Sequence, residues 1–205
     1  MTTVSQPTFV VAAPADDAEH ETEVVPGEQV VVVETQGEWT YVVVPSHASS
    51  KDDRGYPGWM PAGALADDAE RPVETAETAE GVEALLAKAR TFLGVPYVWG
   101  GTTGAGIDCS GLVFRAAEAI GVRLPRDARD QAVALTAVDL DDATAGDLYF
   151  FARPDGYVVH VAIATAPPET DGTRPMIHAD GDKMLVVEEP MPADRVATLV
   201  SAARL

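Results

Sequence analysis

Cysteine is almost missing from this chain of 205 residues: there is one, Cys109. No internal disulfide can form, which suits a reducing compartment. Basic residues are also scarce, with 14 Lys and Arg against 33 Asp and Glu and a formal net charge of −19. Such a surface repels nucleic acid and anionic membranes, and nothing in the sequence resembles a basic stripe. Long hydrophobic runs are absent. The longest, VVVV at residues 30–33 and VVHVAIATA at 158–166, are strand-sized and far short of the ~20 apolar residues that cross a bilayer. The first twenty residues carry no basic segment ahead of an apolar one, so they do not read as a secretory signal. No internal repeat is visible. These absences lead us to expect a cytoplasmic protein, a monomer, with neither nucleic acid nor membrane as a partner.

What the chain does contain is ample apolar material, 46% of its residues, enough for one domain or two small ones. Residues 1–66 read as short strands (FVVAA, EQVVVVETQ, EWTYVVVPS, GWMP) separated by turn signals at Pro26-Gly27 and Gln36-Gly37. That spacing predicts a small barrel with Trp39 and Trp59 in its core. Residues 67–80 are acidic, hold Pro72 and are poor in large apolar groups, which predicts a linker or the lead-in to a helix. The apolar spacing of Val82, Leu85, Leu86, Ala89 and Leu93 predicts a helix that Gly94 ends. The boundary falls near residue 78, giving domains at 1–78 and 79–205. Beyond residue 121 come a short helix after Pro125 and then strands at DLYFFA, YVVHVAIATA, RPMIHAD and MLVVEEP. The terminal MPADRVATLVSAARL reads as a last strand or a short helix. Helices packed on an antiparallel sheet make the second domain α+β.

Chemistry concentrates at residues 94–111, GVPYVWGGTTGAGIDCSG. Gly100, Gly101, Gly104 and Gly106 make a loop of few side chains, which lets a ligand approach the backbone. Leu112, Val113, Ala116, Ala117 and Ile120 then follow at helical spacing up to Gly121. Cys109 falls at the helix start, where unpaired N–H groups and the helix dipole favour a thiolate. A lone cysteine is ordinarily a small buried hydrophobe. Here it sits among polar neighbours, and His160 and His178 follow in strand-like settings, a pattern that fits a nucleophile and its base. Alternation puts His160 on the face of Val158 and Ala162. One cysteine and two distant histidines lack zinc-ligand spacing, so no metal and no cofactor are expected. His20 and His47 have no such context.

The run LGVPYVWGGTTGAGIDCSGLVF, with LPRDARDQA, AGDLYFF, VVHVAIA and MIHAD after it in order, resembles the NlpC/P60 family of cysteine peptidases. The resemblance implies a papain-like α+β catalytic domain acting on bacterial cell-wall peptides. It implies Cys109 as nucleophile, His160 as general base, His178 as the residue that orients it, and Tyr97 as an oxyanion donor beside the Cys109 N–H. Trp99 is then a packed aromatic. The first domain, with PGEQVVVVE, GEWTYVVV and GYPGWMPAGAL, resembles a bacterial SH3-type barrel.

Together the two halves resemble the γ-D-glutamyl-L-diamino acid endopeptidases of murein peptide recycling. In those, the SH3 domain closes one end of the cleft and only a peptide with a free N-terminal L-Ala fits. The resemblance implies Glu28 and Tyr56 from the first domain, and Asp108 and Ser110 from the second, as partners of that ammonium. Arg126 and Asp127 are further cleft residues by the same argument, and Ala128 stands where many relatives carry serine. Taken singly, Glu28 is also a turn charge, Tyr56 a surface aromatic, and Asp108 and Ser110 helix caps. An exported hydrolase of intact wall and a catalytically dead binding protein remain alternatives at this point.

Overall fold

The computed structural model describes residues 2–66 and 81–205; the expected linker at 67–80 and the boundary near 78 lie outside the described residues. The chain forms two compact units. The first takes in the described residues up to 66 together with Trp99–Thr103, and the second holds the rest.

The first unit is built from β1 (Thr2–Val4), β2 (Thr8–Val11), β3 (His20–Val24), β4 (Gln29–Gln36), β5 (Trp39–Val44), β6 (Tyr56–Pro61) and β7 (Leu65–Ala66). They form one antiparallel sheet in the order β3-β2-β6-β5-β4-β1-β7. This pairing leaves β3 and β7 as the ends of the ladder, so hydrogen bonding does not close the expected barrel. The β4–β5 hairpin turns at Gly37, whose φ of 62° suits glycine. Valines 4, 10, 24, 30, 42 and 44 pack with Tyr56, Met60 and Ala64 as its core. Trp39 and Trp59 stand outside that core, only half-buried, with Trp59 edge-on to Tyr41. Small β-branched side chains fill the interior, and the indoles are left at the margin.

Of the remaining elements, β8 (Thr102–Thr103) clusters with the first unit, and the second unit contains α1 (Val82–Arg90), β9 (Gly106–Ile107), α2 (Cys109–Glu118), α3 (Ala128–Ala134), β10 (Thr136–Val138), β11 (Leu148–Ala152), β12 (Val158–Ala164), β13 (Pro175–Asp180), β14 (Leu185–Pro190), α4 (Ala193–Val196) and β15 (Leu199–Arg204). Six strands make an antiparallel sheet in the order β10-β15-β11-β12-β13-β14. The chain end is thus both a short helix and a strand, and β15 lies inside the sheet between β10 and β11. Helices α1 and α2 pack together, α2 lies on β12 and β13, and α3 lies on β12. Leu148, Phe150, Val161, Ile163, Ile177 and Ala179 meet the helices on one face. Tyr149, Phe151, Ala162, Ala164, Met176 and Ala202 form a second cluster, at the alternate positions of the same strands.

Candidate active site

Cys109 is the first residue of α2, and its position is fixed by a cap. Asp108 is extended (φ −99°, ψ 178°) and its Oδ1 accepts from the Gly111 N–H at 2.6 Å. The same carboxylate receives both Nη groups of Arg126, at 3.0 and 2.8 Å. Arg126 Nη1 also donates to Ser110 Oγ at 2.9 Å, and Ser110 Oγ lies 3.3 Å from Asp108 Oδ1. Arg126 is only 1% exposed. The expected cleft residue is therefore a buried bidentate partner of the helix cap. Gln131 Nε2 joins this arrangement, donating to the carbonyls of Ser110 and Pro125 at 3.1 and 2.9 Å. Asp127 takes the position before α3, where its carbonyl accepts from the Gln131 N–H. Ala128 is buried in the core.

The backbone N–H groups of Val161, the residue after His160 on β12, and of Ser110 act on the Cys109 thiol and favour its charged form. Burial, reinforced by the Asp108 carboxylate, pushes the Cys109 thiol up to about 12, against the pull of those N–H groups and of Arg126. The helix start alone predicts a thiolate, but desolvation of the buried sulfur outweighs the groups that favour the charged form. Burial also holds His160 well below an ordinary histidine, and the charges of His178 and Arg195 add to this. Both shifts favour the neutral thiol and the neutral imidazole.

His160 and His178 come together as the sequence leads one to expect. His160 Nε2 lies 2.8 Å from His178 Nδ1, and the rings meet edge-on with centroids 5.1 Å apart. Phe151, the strand partner of His160, tilts against its ring at 5.3 Å. His160 keeps the face of Ala162 but not that of Val158. The β11–β12 register shifts between Phe151 and Ala152, and this bulge turns Val158 toward the helix-side cluster. Burial lowers His178 too, opposed by its bond to Glu189 and the charge of Asp180.

Both rings being buried and neutral has a consequence for stability. The unfolded histidines bind protons below about 6.5 and the native ones do not. Stability is therefore fully present above that value and is lost as pH falls through it. Urea unfolding should show a loss of about 1–2 kcal/mol between pH 7 and 5.5, before carboxylates titrate. A flat profile over that window contradicts the neutral pair.

Residues 94–97 reach the site along the edge of β14. Gly94 and Tyr97 donate to the carbonyls of Val186 and Met184, and Val186 donates to Val95. Burial raises the Tyr97 hydroxyl pKa, and the charges of Cys109 and Asp108 add to this. Its ring faces Gly181, where an added Cβ would touch it at 3.7 Å. The glycine-rich loop is less open than its composition predicts. Trp99 is 57% exposed, not packed. Within the first unit, residues 100–103 lie along β3: Glu23 N–H donates to the Gly100 carbonyl at 2.7 Å, and the Glu23 carboxylate accepts from Thr102 N–H and Thr103 Oγ1. The loop's glycines thus serve a close backbone approach, with Gly100 at φ 77° against His20.

The two first-unit candidates each have partners of their own. Glu28 accepts from Val25 N–H at 2.9 Å and His47 Nε2 at 3.1 Å, and His47, fully buried, contacts Thr22 through Nδ1. The Tyr56 hydroxyl donates to Glu21 at 2.9 Å and accepts from Lys51. His20 stacks on Phe9.

Several residues that the sequence does not single out surround His178. Glu189 Oε1 lies 3.3 Å from His178 Nε2, and its other oxygen pairs with Lys183. Arg195 Nη2 lies 3.3 Å from both Asp180 and Asp182. His178, Asp180 and Glu189 bring ligating atoms within 4.8 Å of one another. Lys183 and Arg195 already neutralise the two carboxylates, and both His178 nitrogens are hydrogen-bonded, so the donor set fits a proton network better than a metal.

The NlpC/P60 family model matches residues 94–199, a span that holds Tyr97, Cys109, His160, His178 and Glu189. The chain belongs to the NlpC/P60 family. Among characterised members, γ-D-glutamyl-L-lysine dipeptidyl-peptidase from Bacillus subtilis is 35% identical over 66% of this chain, and the enzyme of that name from Bacillus cereus is 29% identical over 70%. The matches span 65% and 64% of those relatives' own lengths. A crystal structure of an NlpC/P60 family protein from Bacillus cereus, 21% identical, superposes with a TM-score of 0.86 over 99% of this chain and 98% of that one, which establishes the shared fold.

Proposed function

We propose that this NlpC/P60 protein is a cysteine endopeptidase that cuts the bond between γ-D-Glu and an L-diamino acid in freed murein peptides, releasing L-Ala-γ-D-Glu. The observation that carries the chemistry is the hydrogen bond from His160 on β12 to His178 on β13, with the Val161 N–H of β12 acting on the Cys109 thiol. Cys109 Sγ attacks the γ-carbonyl carbon while His160 takes the thiol proton. Burial favours the neutral form of both groups, so that transfer accompanies the attack. The tetrahedral intermediate collapses as His160 returns the proton to the leaving amine. Water, deprotonated by His160, then hydrolyses the thioester. The names of the two Bacillus relatives support the bond assignment.

Tyr97 fits the oxyanion, with the Cys109 N–H as the second donor. Tyr97→Phe should lower kcat by about 10²-fold with a smaller change in KM. Steady-state rates check this, and an unchanged kcat removes Tyr97 from the reaction.

The first unit we read as an SH3-type module, and a free N-terminal L-Ala as a requirement for cleavage. Asp108 and Ser110 are the second-unit candidates for the ammonium, a role that Asp108 would share with its Arg126 pair. The test is a paired digestion of L-Ala-γ-D-Glu-L-Lys and its N-acetyl derivative, read by mass spectrometry. Cleavage of the free peptide alone supports the reading. Equal cleavage of both discards the amine requirement, and cleavage of neither by folded protein discards the substrate. Glu28→Gln and Tyr56→Phe on the same pair test whether the first unit takes part.

A further inference from the structure

The hydrogen bonds around His178 have a definite direction. Glu189 is paired with Lys183, and a carboxylate can only accept. His178 must therefore donate to it through Nε2. A neutral imidazole has one N–H, so His178 Nδ1 is an acceptor. His160 must then donate through Nε2 across the 2.8 Å contact, which leaves the lone pair of His160 on Nδ1. Three residues on three strands set one tautomer.

Strand register explains how Glu189 comes to this position. His178 on β13 faces Val187 on β14, and Glu189, two residues on, shares that face. Its neighbour Glu188 points the other way and pairs with Arg90. The remaining charges near His178 are Asp180, Arg195 and Lys183, with Arg195 and Lys183 both paired to Asp180.

We propose that Glu189 is a positioning residue: through His178 it holds His160 in the tautomer whose Nδ1 is unprotonated and available as the base for Cys109. Lys183 fixes the Glu189 carboxylate in place. Only the kinetic part of the test rests on the peptidase reading above.

The experiment uses the full chain labelled with 15N-histidine, which has four histidines to assign, and long-range 15N–1H spectra at neutral pH. Wild type should show both His160 and His178 as Nε2–H tautomers. His178 found as Nδ1–H in wild type overturns the proposal before any variant is made. In Glu189→Leu the acceptor is gone; His178 should shift toward Nδ1–H, and kcat on L-Ala-γ-D-Glu-L-Lys should fall about 10- to 100-fold with KM little changed. Glu189→Gln keeps an acceptor at that point and should restore the wild-type tautomers and most of kcat. Glu188→Gln should alter neither. Unchanged tautomers in Glu189→Leu, or a switched tautomer with unchanged kcat, overturn the proposal. A tautomer switch in a protein that cuts no murein peptide at all leaves the positioning network standing and removes the substrate assignment.

Discussion

Cys109→Ala should abolish turnover, lowering kcat/KM by roughly 10⁴-fold or more, while leaving the fold in place. The expectation follows from chemistry that no other side chain can supply. Cys109 is the only thiol in the chain, it starts α2, and its thiol feels the backbone N–H of Val161, the residue after His160 on β12. In the proposed mechanism its removal takes away the atom that forms the covalent intermediate, and the proposed oxyanion donors and bound substrate alone give a small residue of catalysis. Stability should change little. The site loses one buried sulfur, and the cap and the Arg126 pair remain, so unfolding should move within about 1 kcal/mol of wild type. Thermal melting and steady-state assays on one preparation check both halves. Activity near wild type with an intact fold removes Cys109 as the nucleophile.

Arg126→Ala should be the most destabilising single change near the site. The guanidinium is buried and donates twice to Asp108 and once to Ser110. Truncation leaves the Asp108 carboxylate buried without its counter-charge at the start of the catalytic helix, which costs about 3–5 kcal/mol. At about 2–4 °C per kcal/mol for a chain of this size, the melting point should drop by roughly 10 °C. Adding Asp108→Asn should recover part of that loss. Asparagine keeps the cap to Gly111 and carries no charge to strand. If Arg126→Ala melts like wild type, the pair is not the fastening that its geometry describes.

The parts of the molecule that were legible from sequence are those where local pattern and global packing agree. The alternation in VVHVAIA and PMIHAD places His160 and His178 in strands, and their rings do meet. The helical spacing after Cys109 ends near Gly121, whose φ is 76°, as a C-terminal stop requires. What was not legible depends on pairing across distance. Val158 leaves the face of His160 because of a bulge opposite Ala152, and no single strand reveals its own bulge. Glu189 reads as the polar end of a strand until the β13–β14 register puts it beside His178. Arg126 reads as a cleft residue because sequence cannot show that Asp108, eighteen positions earlier, already holds it. Burial decides the rest. The helix start argues for a thiolate at Cys109, and enclosure of the sulfur raises it instead. Trp39, Trp59 and Trp99 are large and apolar, yet none of them joins the cores, which close around valines in the first unit and mainly leucines and alanines in the second.

The most direct test of the account joins the nucleophile to the bond. Wild-type protein is mixed with L-Ala-γ-D-Glu-L-Lys, quenched in acid within the first turnovers, digested, and read by mass spectrometry at the peptide that holds Cys109. The account predicts an L-Ala-γ-D-Glu acyl group on Cys109, with free L-Lys in solution. Release of L-Lys with no acyl group on Cys109 at any quench time, or an acyl group of different composition there, would contradict it.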